Sequence, residues 1–144
     1  MKLSTRTRYG IRAILELAEH YGEGPLQLRI IANDQGVSVK YLEQLMAMLK
    51  TAGIVKSVRG SKGGYVLAKS PANIKVSNCF ECLEGSVITT ECIDGDNYCE
   101  RKNNCMARQL WADVQNAVMG VLESITLQNL VDRAKDNKAI NYQI

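Results

Sequence analysis

The chain has 144 residues, 46% of them hydrophobic, and a formal net charge of +3. That is about one domain's worth of sequence with enough apolar material for a core. No apolar run approaches the roughly 20 residues that span a bilayer. The basic start MKLSTRTRYG is followed by apolar positions that Arg12, Glu16 and Glu19 interrupt, so neither a secretion signal nor a membrane partner is expected, and the expected location is the cytoplasm.

The charge is unevenly placed. Residues 1–70 carry 11 Lys/Arg against 5 Asp/Glu, and residues 71–144 carry 7 against 10. A basic first half suits a module that binds a polyanion, and an acidic second half suits something joined to it. The division expected is therefore 1–70, a DNA-binding domain, and 71–144, a sensing and dimerisation segment.

In chain order, apolar residues at helical spacing predict a first helix over 5–21, broken by Gly22, Gly24 and Pro25. A short helix over 27–34 follows. Gly36 then turns the chain, and Ser38 stands as N-cap of a third helix running to about residue 52. Leu42, Leu45, Met46 and Leu49 form its i, i+3, i+4, i+7 stripe. The β-rich runs 54–59 and 65–67 flank the turn Gly60-Ser61-Lys62-Gly63-Gly64 and predict a hairpin. Ser77 is expected to cap a short helix through Leu83 that Gly85 ends. A long helix is expected over 106–124, then a short one from Leu127, capped by Thr126, to about Lys135. The polar tail from Asp136 is expected to be loose. The fold class is mainly α with a small β-hairpin: a winged helix-turn-helix plus a long C-terminal dimerisation helix.

Residues 30–45, IIANDQGVSVKYLEQL, fit a helix-turn-helix. Ala32 is small where two helices approach, Gly36 permits the positive φ of the turn, and Val37 fills the angle between them. Ser38, Val39, Lys40, Tyr41, Glu43 and Gln44 are left at the exposed start of the recognition helix. Gln can pair bidentately with adenine and Glu can accept from the cytosine amino group, while Lys40 and Tyr41 suit phosphate. Arg59, Ser61 and Lys62 sit at the wing tip, and Arg59 suits a narrow minor groove. The expected partner is double-stranded DNA.

Cys92, Cys99 and Cys105, with six and five residues between them, lie in the polar segment ECIDGDNYCERKNNC. Five cysteines in all is an odd number, and no secretion signal precedes them, so a disulfide framework is not expected. Three thiols on one segment can close around a soft metal centre. Zinc binding and direct thiol redox switching are the alternatives, and the spacing alone does not separate them. Cys79 and Cys82, in CFEC, would bring the possible zinc ligands to five; they fall on a predicted helix, where the expectation is that they pack as small hydrophobes.

Leu110, Trp111, Val114, Val118, Val121 and Leu122 recur every three or four residues along 106–125. That face is too apolar for a lone surface helix and reads as a seam between two copies of the chain. A two-fold dimer would bind a pseudo-palindromic operator. No paired-carboxylate cleft, nucleophile motif or phosphate-binding loop is present, so an enzyme is not expected.

The stretches KLSTRTRYG (2–10), SVKYLEQL (38–45) and SVRGSKGGYVL (57–67) resemble the IscR-type iron–sulfur regulators. These are part of a wider family of bacterial winged-helix repressors that also includes NsrR and CymR. The resemblance runs from Met1 to about Arg133. It implies a dimeric regulator that senses an iron–sulfur cluster of 2Fe–2S type on Cys92, Cys99 and Cys105 and controls cluster-assembly genes. A regulator of the same fold that senses nitric oxide or thiol redox state is the other reading. The family's fourth ligand, a histidine three residues after the last cysteine, is Arg108 here, which stays protonated and is a poor ligand. Glu91, Asp94, Asp96 and Glu100 are local carboxylate candidates, and the one histidine, His20, lies far off in the first helix.

Overall fold

Ser4 stands in extended conformation before α1 (Thr5–Glu19), and its hydroxyl accepts from the Thr7 amide at 3.2 Å. This satisfies one of the amides that a helix start leaves without an intrahelical partner. The computed structural model describes residues 2–86, 91–94 and 99–142. After α1 come α2 (Leu28–Gln35), α3 (Val39–Thr51), β1 (Val55–Val58), β2 (Gly64–Leu67), α4 (Val76–Glu84), α5 (Glu91–Asp94), α6 (Met106–Ser124) and α7 (Leu127–Tyr142), with a 3-10 turn at Pro71–Asn73. The fold is mainly helical with one antiparallel hairpin, as the sequence predicts.

The apolar stripes become one core. Ile14 and Leu17 of α1, Ile31 of α2, and Leu42, Leu45, Met46 and Leu49 of α3 are buried together with Val55 and Leu67 of the hairpin. The same core continues into Cys79 and Leu83 of α4 and Leu127 and Val131 of α7. Gly10 lets α1 and α4 approach: a Cβ there would lie 2.5 Å from Leu83 Cδ1 and 2.8 Å from Cδ2.

β1 pairs with β2 in the register Val55↔Leu67 to Val58↔Gly64. Leu26 adds a one-residue bridge: its N–H donates to Tyr65 O at 3.0 Å, and the Tyr65 N–H donates to Leu26 O at 2.8 Å. At the other end, Val76 N–H donates to Ile125 O at 2.9 Å and Leu127 N–H to Ile74 O at 3.0 Å. These bonds clip the start of α4 to the start of α7.

Two expectations are corrected here. Ser77 does not cap α4: Lys75 is the N-cap, and Ser77 is buried inside the first turn. The backbone bridge Lys75↔Thr126 starts the helix two residues earlier than side-chain capping by Ser77 would. The tail from Asp136 is helical, because α7 runs on to Tyr142. Thr126 and Asn129 cap that helix reciprocally, Asn129 N–H to Thr126 Oγ1 at 3.2 Å and Thr126 N–H to Asn129 Oδ1 at 2.9 Å. With its start fixed, each added residue costs little to propagate.

Candidate nucleic-acid interface and cysteine segment

The turn between α2 and α3 is built as the residue types require. Gly36 adopts the left-handed conformation at φ 67°, ψ 35°, and its N–H donates to Asn33 O at 3.2 Å. Val37 N–H donates to Ala32 O at 3.0 Å, and Val37 packs half-buried on the core. Ser38 then caps α3, its hydroxyl accepting from Tyr41 N–H at 3.1 Å. Burial of Leu42, Leu45, Met46 and Leu49 turns the opposite side of α3 outward, so Ser38, Lys40, Glu43 and Gln44 are exposed. Val39 is 45% exposed, an apolar side chain of the kind that fits a thymine methyl.

Tyr41 differs from its neighbours. It is half-buried, and its ring meets the Tyr9 ring edge-on at 6.3 Å. The Tyr9 ring carries the Arg12 guanidinium at 5.4 Å and that of Arg8 at 6.0 Å. α3 is thus seated on α1 through an edge-to-face aromatic pair flanked by cations. Nothing in the periodicity of α1 marks Tyr9 for this role.

The wing is tied to the recognition helix at its root. Lys50 Nζ, in the last turn of α3, donates to Ser57 Oγ of β1 at 2.7 Å. Gly63 N–H closes the tip on Gly60 O at 3.0 Å, and Arg59, Ser61 and Lys62 are exposed around it. Gly64 lies directly against the Leu26 backbone, which leaves no room for a side chain.

The start of α1 is held by α4. The Glu84 carboxylate accepts from Ser4 Oγ at 2.7 Å, from Ser4 N–H at 3.2 Å, and from the Thr7 hydroxyl. The Thr7 and Ser4 hydrogen bonds hold its pKa below the ordinary value of 4.5. Arg6 Nε donates to Leu83 O at 2.7 Å beside it. The two cysteines of α4 behave as core residues in part. Cys79 is fully buried, and burial pushes its thiol up to about 12. Cys82 is half-buried and raised by burial too, and its Sγ donates to Met48 O of α3 at 3.4 Å.

Cys92, Cys99 and Cys105 are all half-buried, and none forms a disulfide. Cys92 lies in the four-residue α5, Cys99 opens a local turn in which Lys102 N–H donates to Cys99 O at 3.3 Å, and Cys105 is the N-cap of α6. Among the described residues, no three His, Cys, Asp or Glu side chains are gathered around one point. The donor chemistry suits a soft metal; the arrangement described does not bring the three thiols together. Of the carboxylate candidates, Glu100 is exposed, Asp96 lies outside the described residues, and so do the side chains of Glu91 and Asp94. Arg108 is engaged with backbone: Nε donates to Cys92 O at 2.9 Å. His20 caps α1, its Nδ1 2.9 Å from Glu16 O, remote in sequence from the cysteine segment.

α6 has no buried residue within one chain. Leu110 is 52% and Val121 58% exposed, Trp111 and Val114 are also exposed, and Val118 and Leu122 are half-buried. No helix among the described residues is long and apolar enough to cross a membrane.

The comparisons agree with this architecture. Residues 3–133 match the model of the Rrf2 family, described as iron-dependent transcriptional regulators. The chain is 41% identical over 130 residues to the HTH-type transcriptional regulator CymR of Bacillus subtilis, covering 90% of this chain and 89% of that one. It is 39% identical over 132 residues to the regulator IscR of Photorhabdus laumondii, covering 92% and 80%. Among solved structures, IscR of T. potens superposes with a TM-score of 0.79 at 41% identity, covering 95% of this chain and 90% of that one. The B. subtilis CymR structure, titled the global cysteine regulator, gives the same TM-score at 40% identity, covering 92% and 98%.

Proposed function

The chain belongs to the Rrf2 family of transcriptional regulators, whose members act on DNA rather than catalyse reactions, and from that membership we propose a homodimeric, cytoplasmic regulator that senses an iron–sulfur cluster. Cys92, Cys99 and Cys105 would hold the cluster, of 2Fe–2S type, as thiolates. When bound, the cluster supplies a redox-sensitive and oxidant-labile ligand to the segment that leads into α6. The regulated genes would include those for cluster assembly.

DNA would be read by residues 1–70. Glu43 and Gln44 offer base-edge contacts from the exposed side of α3. Ser38, Lys40, Tyr41, Ser61 and Lys62 offer phosphate contacts, and Arg59 offers its guanidinium to the minor groove. The uncovered apolar face Leu110, Trp111, Val114, Val118, Val121 and Leu122 would pair with its copy across a two-fold axis, and the two recognition helices would meet the half-sites of a pseudo-palindrome.

The observation that carries the sensing role is the placement of three half-buried cysteines immediately before that uncovered helix. Anaerobic purification with visible absorption, iron and sulfide analysis tests it. Iron and sulfide in matching amounts, lost on replacing any of the three cysteines by Ala, are expected. Zinc without iron would overturn it.

A second reading, direct thiol switching, is favoured by two observations: the described residues do not gather the three thiols around a point, and CymR is as similar to this chain as IscR is. It expects the metal-free protein to change its operator affinity when oxidised and to recover it on reduction.

A further inference from the structure

We propose that Arg108 is a strap that holds the cysteine segment on the first turn of α6, a positioning residue for the thiols and not a metal ligand. The inference rests on the reading of Cys92, Cys99 and Cys105 as the sensing thiols. Arg108 is the third residue of α6 and is half-buried. Its Nε donates to Cys92 O at 2.9 Å, and its Nη1 reaches Lys102 O at 3.5 Å. One carbonyl belongs to α5 and the other to the turn after Cys99. A single guanidinium therefore ties α5, which holds Cys92, and the turn between Cys99 and Cys105 to the same point on α6.

Three physical facts make this a role and not an accident of packing. A helix leaves its last four carbonyls open to outside donors, and Cys92 O lies in the four-residue α5, where the Arg108 guanidinium supplies one. Guanidinium is the side chain best suited to supply several donors in a fixed plane, and its charge strengthens each bond. A cation in the first turn of a helix also opposes the macrodipole, and α6 has no acidic residue there to offset it. The position is unfavourable for Arg unless the side chain finds acceptors, and among the described residues the two it meets are backbone carbonyls of the cysteine segment.

The strap is independent of any metal, so α5 and the 99–104 turn are held on the first turn of α6 before a ligand binds. Losing it lets α5 and the 99–104 turn separate from α6. A charge-assisted hydrogen bond to a partly buried carbonyl corresponds to about tenfold or more in the local opening equilibrium.

The test compares wild type with Arg108→Ala and Arg108→Lys as full-length proteins. In the metal-free state, amide exchange in peptides covering 91–94 and 99–105 is expected to speed up about tenfold in Arg108→Ala, with exchange in α1 to α3 unchanged. Arg108→Lys, which can still donate to one carbonyl, is expected to fall between. In reconstituted protein, visible circular dichroism is expected to change shape and chelator-driven iron loss to speed up in the same order. Unchanged exchange in the two segments of Arg108→Ala, or exchange that speeds up equally throughout the chain, would overturn the strap. Faster segment exchange with an unaltered spectrum and iron-loss rate would overturn its positioning role. Should wild type take up no iron, the sensing reading fails on its own, and the exchange experiment still decides whether Arg108 is a strap. In that case alkylation rates of Cys92 and Cys99 replace the spectrum as the readout of thiol positioning.

Discussion

Replacing Gly10 by Ala should destabilise the protein, although Gly lies inside a helix. At an open helical position the change stabilises by roughly 0.5–1 kcal/mol, because Gly loses more backbone entropy on folding. Here the new Cβ would lie 2.5 Å and 2.8 Å from the Cδ atoms of Leu83, which is fully buried. Leu83 cannot swing into solvent, so α1 and α4 must separate or Leu83 must leave its rotamer. Overpacking of this kind costs about 1–3 kcal/mol, which exceeds the propensity gain and leaves a net loss near 1 kcal/mol. A double-mutant cycle isolates the cause. Leu83→Ala alone should cost about 2–5 kcal/mol through the cavity it opens. In that background Gly10→Ala should reverse sign and stabilise, since its obstacle is gone. Urea unfolding of the four proteins at one fixed protomer concentration measures all the terms, the fixed concentration removing any dimerisation effect. Stabilisation by Gly10→Ala in the wild-type background would refute the tight α1–α4 contact.

Other perturbations address the remaining parts of the molecule. Lys62→Ala should weaken binding to all DNA sequences alike and lower the salt slope by about one, as measured by fluorescence titration over a range of salt concentrations. Glu43→Ala and Gln44→Ala should instead change base preference by roughly 1–3 kcal/mol per lost contact, and an unchanged preference in both would sink the recognition-helix assignment. Glu84→Gln should lower stability at neutral pH. Because hydrogen bonds from Thr7 and Ser4 depress the Glu84 pKa, its contribution is present above the ordinary value of 4.5 and is lost as pH falls through the folded value. The gap between wild type and Glu84→Gln should therefore close in acid, and a gap that widened there would show the sign to be wrong. Native alkylation followed by mass spectrometry should leave Cys79 unmodified near neutral pH, since its thiol is buried and pushed up to about 12; prompt labelling of Cys79 would contradict its place in the core.

What the sequence made legible follows from the range of the forces involved. Helix α3 could be read almost to the residue because its signals are local: the Ser38 cap, the Gly36 turn and the Leu42–Leu49 stripe all act within a few positions. The hairpin was legible for the same reason. Ser77 misled because α4 begins through a backbone bridge to Thr126, about 50 positions away in the sequence. The far half of α7 misled because it is mostly polar and exposed, yet a helix with its first turn fixed extends cheaply through Lys138 and Ala139. Of the site, the exposed start of α3 could be anticipated, since burial of one face dictates the other. The seat of Tyr41 on Tyr9 could not, nor could the bonds from Glu84 to Ser4 and Thr7, because each joins residues from distant parts of the chain.

Those long-range bonds decide how a change at the cysteines could reach DNA. α4 meets the winged helix at both α1 and α3. Glu84 holds the first turn of α1, Arg6 reaches Leu83 O, and Cys82 donates to Met48 O in α3. α1 in turn seats the recognition helix through Tyr9 and Tyr41. The C-terminus of α4 and the N-terminus of α6 therefore bracket the cysteine segment, one leading to α3 and the other to the uncovered apolar face. A ligand on the cysteines can alter either joint only by the difference in its affinity for the two arrangements. Couplings of this kind amount to about 1–3 kcal/mol, or roughly 5–150-fold in operator affinity. A signal of that size would shift site preference without dismantling the winged helix, because the core that sets Ser38, Lys40, Glu43 and Gln44 on the outer face of α3 is shared by α1, α2, the hairpin and α7 and does not depend on the cysteine segment.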